Sequence, residues 1–154
     1  MVGKAVIDVA AAHKHFSAAC FNQAWDLIDK PDRTEADDRL MVALNQASIF
    51  HWMNRPDCTD KNLSVGYWQA SRIQALLGNA AEAMRHARTS LGYGADLGPF
   101  HLGYAYEALA RAASLTPDRA DMADYLARAE ALVDQVSDAE DRQLLAADLA
   151  QLRG

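Results

Sequence analysis

Two arginines, Arg72 and Arg111, carry the side chains best suited to binding an anion. A guanidinium group is permanently charged, and its paired N–H donors match the geometry of a carboxylate or a phosphate. Each arginine follows a tyrosine by five residues, in Tyr67–Arg72 and again in Tyr106–Arg111. This recurrence predicts that the two arginines occupy equivalent positions on two similar helices.

An internal ion network is the alternative role for the same arginines. Asp26, Arg72, Glu107 and Arg111 form a charge-balanced set that could tie neighbouring helical hairpins together. The two roles can coexist, because a binding site often uses residues that the scaffold also orients.

The five histidines do not form a recognised catalytic or metal-binding motif. No two of them are four residues apart, and the sequence has no HExxH, GxGxxG or GxxxxGK[ST] motif. No serine near His51 lies in a nucleophile elbow. A helical bundle could hold a metal ion with His13 or His15, His51 and a carboxylate such as Glu107. We predict neither a metal nor a cofactor.

The composition favours a helical protein. Alanine occupies 31 positions, whereas only four prolines and eight glycines interrupt the chain. The net charge of −6 and the absence of any basic run argue against nucleic-acid binding. Cys20 and Cys58 form no CxxC pair, and neither a signal peptide nor an apolar stretch of about 20 residues is present. We therefore expect a cytoplasmic protein without membrane contact.

Apolar periodicity and capping residues predict seven helices. The predicted ranges are 5–29, 34–54, 62–77, 80–92, 100–115 and 118–136, with a seventh helix that opens at a capping box over 137–140. Thr34 with Asp37 is the capping box of the second helix. Thr116 and Pro117 are the predicted N-cap and first residue of the sixth. The predicted inward stripe of the seventh helix is Leu144, Leu145, Leu149 and Leu152.

The sequence pattern of one helical hairpin occurs twice, over residues 67–91 and 106–131. The offset between the copies is one residue larger in the second helix of the pair than in the first, which predicts one extra residue in the second loop. Small residues let the two helices of a hairpin approach closely. The small residues are Ser71, Ala83 and Ala87 in the first copy and Ala110, Ala123 and Ala127 in the second.

This pattern resembles the tetratricopeptide repeat (TPR) over residues 64–131. The period, about 39–40 residues, exceeds the roughly 34 of that family, and the Trp-Leu-Gly-Tyr signature is not intact. The resemblance implies an all-α fold with about three antiparallel helical hairpins in a right-handed superhelix. A C-terminal capping helix would complete a single domain over residues 1–154.

In the TPR family the first helices of successive hairpins line a concave groove that takes a peptide or a partner helix. The matching positions here, together with His51 on the second helix, give the candidate binding residues: Asn22, Asp26, His51, Trp68, Arg72, Tyr104, Glu107 and Arg111. We therefore expect a non-enzymatic binding or adaptor module for a peptide or protein partner that carries a carboxylate. Pairing of two copies through an open end at the first helix would give a homodimer. The alternative is a small-molecule or metal-dependent enzyme with its pocket around His51 and Glu107.

Overall fold

A computed structural model of the protein describes residues 5–117 and 119–154. Within these ranges the chain forms seven helices and no strand, which confirms the all-α prediction. The helices are α1 (Val9–Ile28), α2 (Glu35–Met53), α3 (Asp60–Leu76), α4 (Ala80–Gly94), α5 (Pro99–Ser114), α6 (Arg119–Val133) and α7 (Ala139–Arg153).

The chain divides into two compact units, one ending at Cys58 and the other beginning at Thr59. The first unit contains α1 and α2, and the second contains α3 to α7. The sequence analysis expected a single domain over residues 1–154, and the division into two units does not test that prediction.

In the first unit, α1 packs antiparallel against α2. Its core is small, and its members are Cys20, Ala24 and Ile28 from α1 and Met41 and Ile49 from α2. The buried Ser48 hydroxyl donates to the Ser17 carbonyl oxygen at 2.6 Å and links the two helices. The capping box predicted at the start of α2 is confirmed, because the Thr34 and Asp37 side chains each accept from the other's backbone N–H.

In the second unit, α3 pairs with α4 and α5 pairs with α6. The first helices also pack side by side, with α5 against α3 on one flank and against α7 on the other. Two clusters of buried residues form part of the core of this unit. One contains Ala87, Ala108 and Leu109, and the other contains Ala129, Val136, Leu145 and Leu149.

The two hairpins of the second unit repeat with one constant offset. Helices α3 and α5 begin at Asp60 and Pro99, and α4 and α6 begin at Ala80 and Arg119, so the offset is the same for both pairs of starts. The segment between the two helices is one residue longer in the second hairpin, as predicted, because α5 is one residue shorter than α3. The larger offset predicted for the second helix is wrong. A shift of one residue turns a helical position by about 100°. This is why Ala123 and Ala127 are exposed, while Ala129 is fully buried.

Three further local predictions are also wrong. The N-cap of α7 is Asp138 rather than Ser137, and its carboxylate accepts from the Asp141 N–H at 2.9 Å. Pro117 is not the first residue of α6, which begins at Arg119, and the Thr116 hydroxyl donates to the Ala113 carbonyl oxygen at the end of α5. Leu144, predicted to face inward on α7, is 54% exposed.

Candidate functional site

Among the described residues of the second unit, one carboxylate is completely buried, that of Glu107 on α5. Oε2 of this residue accepts a hydrogen bond from the Trp68 indole N–H of α3 at 3.0 Å. Oε1 accepts from Nε of Arg111, one turn further along α5, at 2.7 Å. Nη1 of Arg72 on α3 lies 3.6 Å from the same Oε1. A single buried carboxylate therefore faces two guanidinium groups.

The repeat explains why these side chains meet. Helices α3 and α5 are the first helices of consecutive hairpins, so they run in the same direction and place equivalent positions side by side. Arg72 and Arg111 are equivalent at the offset of the repeat, which sets two like charges next to each other. Glu107 is equivalent to Trp68, and the change from indole to carboxylate supplies the counter-ion.

Arg72 is the least satisfied member of this group. Its side chain is 17% exposed, and its Nε and Nη1 atoms are buried without a hydrogen-bond partner among the residues that the structure describes. Burial, and next the positive charge of Arg111, lower the pKa of Arg72, and the negative charges of Glu107 and Asp148 offset this only in part. The charged guanidinium is thus less favourable here than in water.

Tyr104 on α5 lies between this group and α7 and contacts both. Its ring packs edge-on against the Trp68 indole, with 5.2 Å between the ring centroids. Its hydroxyl donates to Oδ2 of Asp148 on α7 at 2.8 Å. Burial raises the pKa of Tyr104 far above its usual range, and the hydrogen bond and charge of Asp148 raise it further.

The sequence analysis missed Asp148. It follows the fully buried Leu145 by three residues and directly precedes Leu149, so it borders the inward face of α7. That position was the signal that could have identified it. The predicted charge-balanced set paired the two arginines with Asp26 and Glu107. In the second unit the direct partner of both arginines is Glu107.

Five of the predicted binding residues thus lie together in the second unit, and we name them the carboxylate site: Trp68, Arg72, Tyr104, Glu107 and Arg111. The other three belong to the first unit. Asn22 and Asp26 are exposed on α1. His51 on α2 faces His13 of α1, with 2.8 Å between their Nδ1 atoms. Their membership of a common groove, and the alternative pocket around His51 and Glu107, stay predictions.

Over residues 5–117 and 119–154, the His, Cys, Asp and Glu side chains form no group of three or more that could hold a metal ion. In the same ranges no helix has the length and apolar character needed to cross a bilayer. The chain matches no protein-family model, and no curated protein or solved structure is similar to it.

Proposed function

We propose that the protein is a non-enzymatic binding module whose carboxylate site holds an acidic group of a peptide or partner protein. The observation that carries this proposal is the state of Arg72. Two of its nitrogen atoms are buried without an acceptor, beside a second arginine. A buried N–H group without a partner costs roughly 1–3 kcal/mol. This cost lowers the stability of the unbound protein. A ligand that supplies the missing acceptor recovers that free energy when it binds.

A carboxylate fits the site for both charge and geometry. Arg72 and Arg111 share the single carboxylate of Glu107, whereas Asp148 is engaged by the Tyr104 hydroxyl. Guanidinium groups bind carboxylates through two parallel N–H···O hydrogen bonds, and such charged bonds are about twice as strong as neutral ones. The half-buried rings of Trp68 and Tyr104 provide an apolar wall for the rest of the ligand.

The repeat supports a peptide or protein as the ligand class. Hairpins that stack side by side with parallel first helices give an elongated surface along α3, α5 and α7. The proposal includes a TPR-like arrangement in which this surface is the inner, ligand-binding face. It also places the module in the cytoplasm, where thiols such as those of Cys20 and Cys58 would stay reduced.

A peptide library with free carboxyl termini and varied Asp and Glu content tests the proposal. The purified protein is expected to select peptides with a common acidic position. Affinity for a selected peptide should fall at least tenfold when that acidic group is converted to the amide, and equally in the Arg72→Ala variant. The matched control is Arg85→Ala, because Arg85 is an exposed arginine on α4 paired with Glu82. This variant should bind like the wild type.

The same variants separate a binding site from an ion network that only holds α3 to α5. If the site binds a ligand, Arg72→Ala lowers affinity and changes the free energy of unfolding little, because its charge is poorly compensated in the folded state. A purely structural network predicts the reverse, with lost stability and unchanged peptide affinity. Selection of no acidic peptide by the folded wild-type protein would overturn the proposal.

A further inference from the structure

The first unit brings two imidazole rings into direct contact. Nδ1 of His13 on α1 and Nδ1 of His51 on α2 are 2.8 Å apart, and the ring centroids are separated by 5.0 Å. Since one imidazole nitrogen carries a proton and the other does not, this distance suits a hydrogen bond from one ring to the other. Two nitrogen atoms from two different helices therefore converge on one point.

The surroundings hold this pair in place and keep part of its surface apolar. The Phe16 ring lies 5.5 Å from the His51 ring, and the Phe50 ring lies 5.4 Å from His51 and 6.0 Å from His13, all between centroids. Both histidines are half-buried, whereas Phe16 and Phe50 are 44% and 58% exposed. Burial, and next the charge of His13, lower the pKa of His51.

We propose that Nδ1 of His13 and Nδ1 of His51 together bind one Cu(II) ion, in neighbouring positions of a square-planar or tetragonal site. Two nitrogen atoms, each about 2.0 Å from a metal ion and at 90° to each other, are about 2.8 Å apart. The two Nδ1 atoms are already 2.8 Å apart in the metal-free pair. They point at each other along the hydrogen bond there, so both rings must turn toward the ion but need not move apart. Tetrahedral ligation by Zn²⁺ at about 2.05 Å requires about 3.3 Å, so it would force the rings apart.

The chemistry of the donors points to the same ion. Imidazole nitrogen suits copper, and Cu(II) has the highest affinity among the divalent first-row ions for a given nitrogen site. Binding requires both Nδ1 lone pairs, so the ring that donates in the metal-free pair moves its proton to Nε2. No third His, Cys, Asp or Glu side chain joins the pair in the described ranges. Water or an external ligand therefore occupies the remaining positions.

This site lies in the first unit and does not depend on the carboxylate site of the second. It extends the sequence analysis, which predicted no metal. His15 also lies on α1 close to this pair, with its ring 4.9 Å from Phe16, but its nitrogen atoms do not meet those of His51. His15 therefore provides a matched control for copper binding by a single surface histidine.

Titration of the full-length protein with CuSO₄, in the presence of glycine as a competing ligand, tests the proposal. We expect one equivalent of Cu(II) to bind, with electron paramagnetic resonance showing two coordinated imidazole nitrogens. Affinity should fall at least tenfold in His13→Asn and in His51→Gln, and should be unchanged in His15→Asn. Zn²⁺ at the same concentration should bind more weakly.

Circular dichroism establishes that each variant retains the helical fold before its affinity is compared. Two variants at different helices are used so that a folding defect in one leaves the other as the test. Binding of Cu(II) that is unchanged in both folded His13→Asn and His51→Gln would overturn the proposal. So would a wild-type protein that takes up no stoichiometric copper against glycine. Either result would leave the pair as a hydrogen bond between two helices.

Discussion

Replacing the buried carboxylate of Glu107 by an amide tests how the two arginines are held. In Glu107→Gln the side chain keeps its shape but loses its charge. An amide offers one oxygen and one NH₂ group, whereas Trp68 and Arg111 each donate to a different oxygen of the wild-type carboxylate. In either orientation an NH₂ group meets an N–H donor, and the Arg72 and Arg111 charges lose their shared counter-ion.

The expected cost is large because Glu107 is fully buried. Removing one partner of a buried ion pair costs about 3–5 kcal/mol, since the remaining charge stays buried without compensation. With an m-value of about 1.5 kcal/mol/M, a loss of 3 kcal/mol lowers the urea midpoint by about 2 M. Urea unfolding monitored by circular dichroism measures this shift. The control, Glu82→Gln, removes the carboxylate of an exposed ion pair on α4 and should move the midpoint far less.

A second substitution checks the cause. Adding Arg72→Met to Glu107→Gln removes one uncompensated charge and keeps an apolar side chain of similar length, so it should restore part of the lost stability. A loss below about 1 kcal/mol for Glu107→Gln, or a further loss when Arg72→Met is added, would refute the view that Glu107 neutralises two buried guanidinium groups.

Two more predictions concern the packing of α5 and the pH dependence of stability. A Cβ atom on Gly103 would lie 2.6 Å from the fully buried Leu145 of α7, so Gly103→Ala should lower the free energy of unfolding in urea by about 1–2 kcal/mol. A Cβ atom on Gly92 meets no atom within 4 Å, so Gly92→Ala should raise the free energy of unfolding by about 0.5–1 kcal/mol. Equal effects would contradict the close approach of α5 to α7. The pKa of Tyr104 is higher in the folded protein than in the unfolded chain, where it is about 10. The neutral Tyr104 therefore contributes its full stabilisation below about pH 10, and this contribution declines as the pH rises above about 10. Between pH 9 and pH 11 the free energy of unfolding should therefore fall more steeply in the wild type than in Tyr104→Phe. Parallel losses would show that the pKa of Tyr104 is not raised in the folded protein.

The sequence predicted the helices and the meeting of equivalent positions on α3 and α5. Both follow from local rules, since capping residues fix where helices start and a constant spacing brings first helices side by side. It did not predict the register of α6. Ala123, Ala127, Ala129 and Ala131 all lie in this stretch, so the alanines fit more than one alignment, and only packing selects Ala129.

The composition of the candidate site was predictable only in part. Arg72 and Glu107 could be paired from their spacing, but the unsatisfied nitrogen atoms of Arg72 arise from the geometry around them. The contact between His13 and His51 joins residues that are far apart in the chain, and no sequence motif predicts it.

The central claim is that Arg72 keeps a buried N–H donor ready for the carboxylate of a ligand. The most direct measurement is the ¹⁵N–¹H signal of Arg72 Nε, recorded during titration with a peptide selected from the library. The signal should move to lower field with the peptide acid and stay in place with the matching amide, because only the acid provides a charged acceptor. Binding of the acid with an unmoved Arg72 signal would contradict the claim.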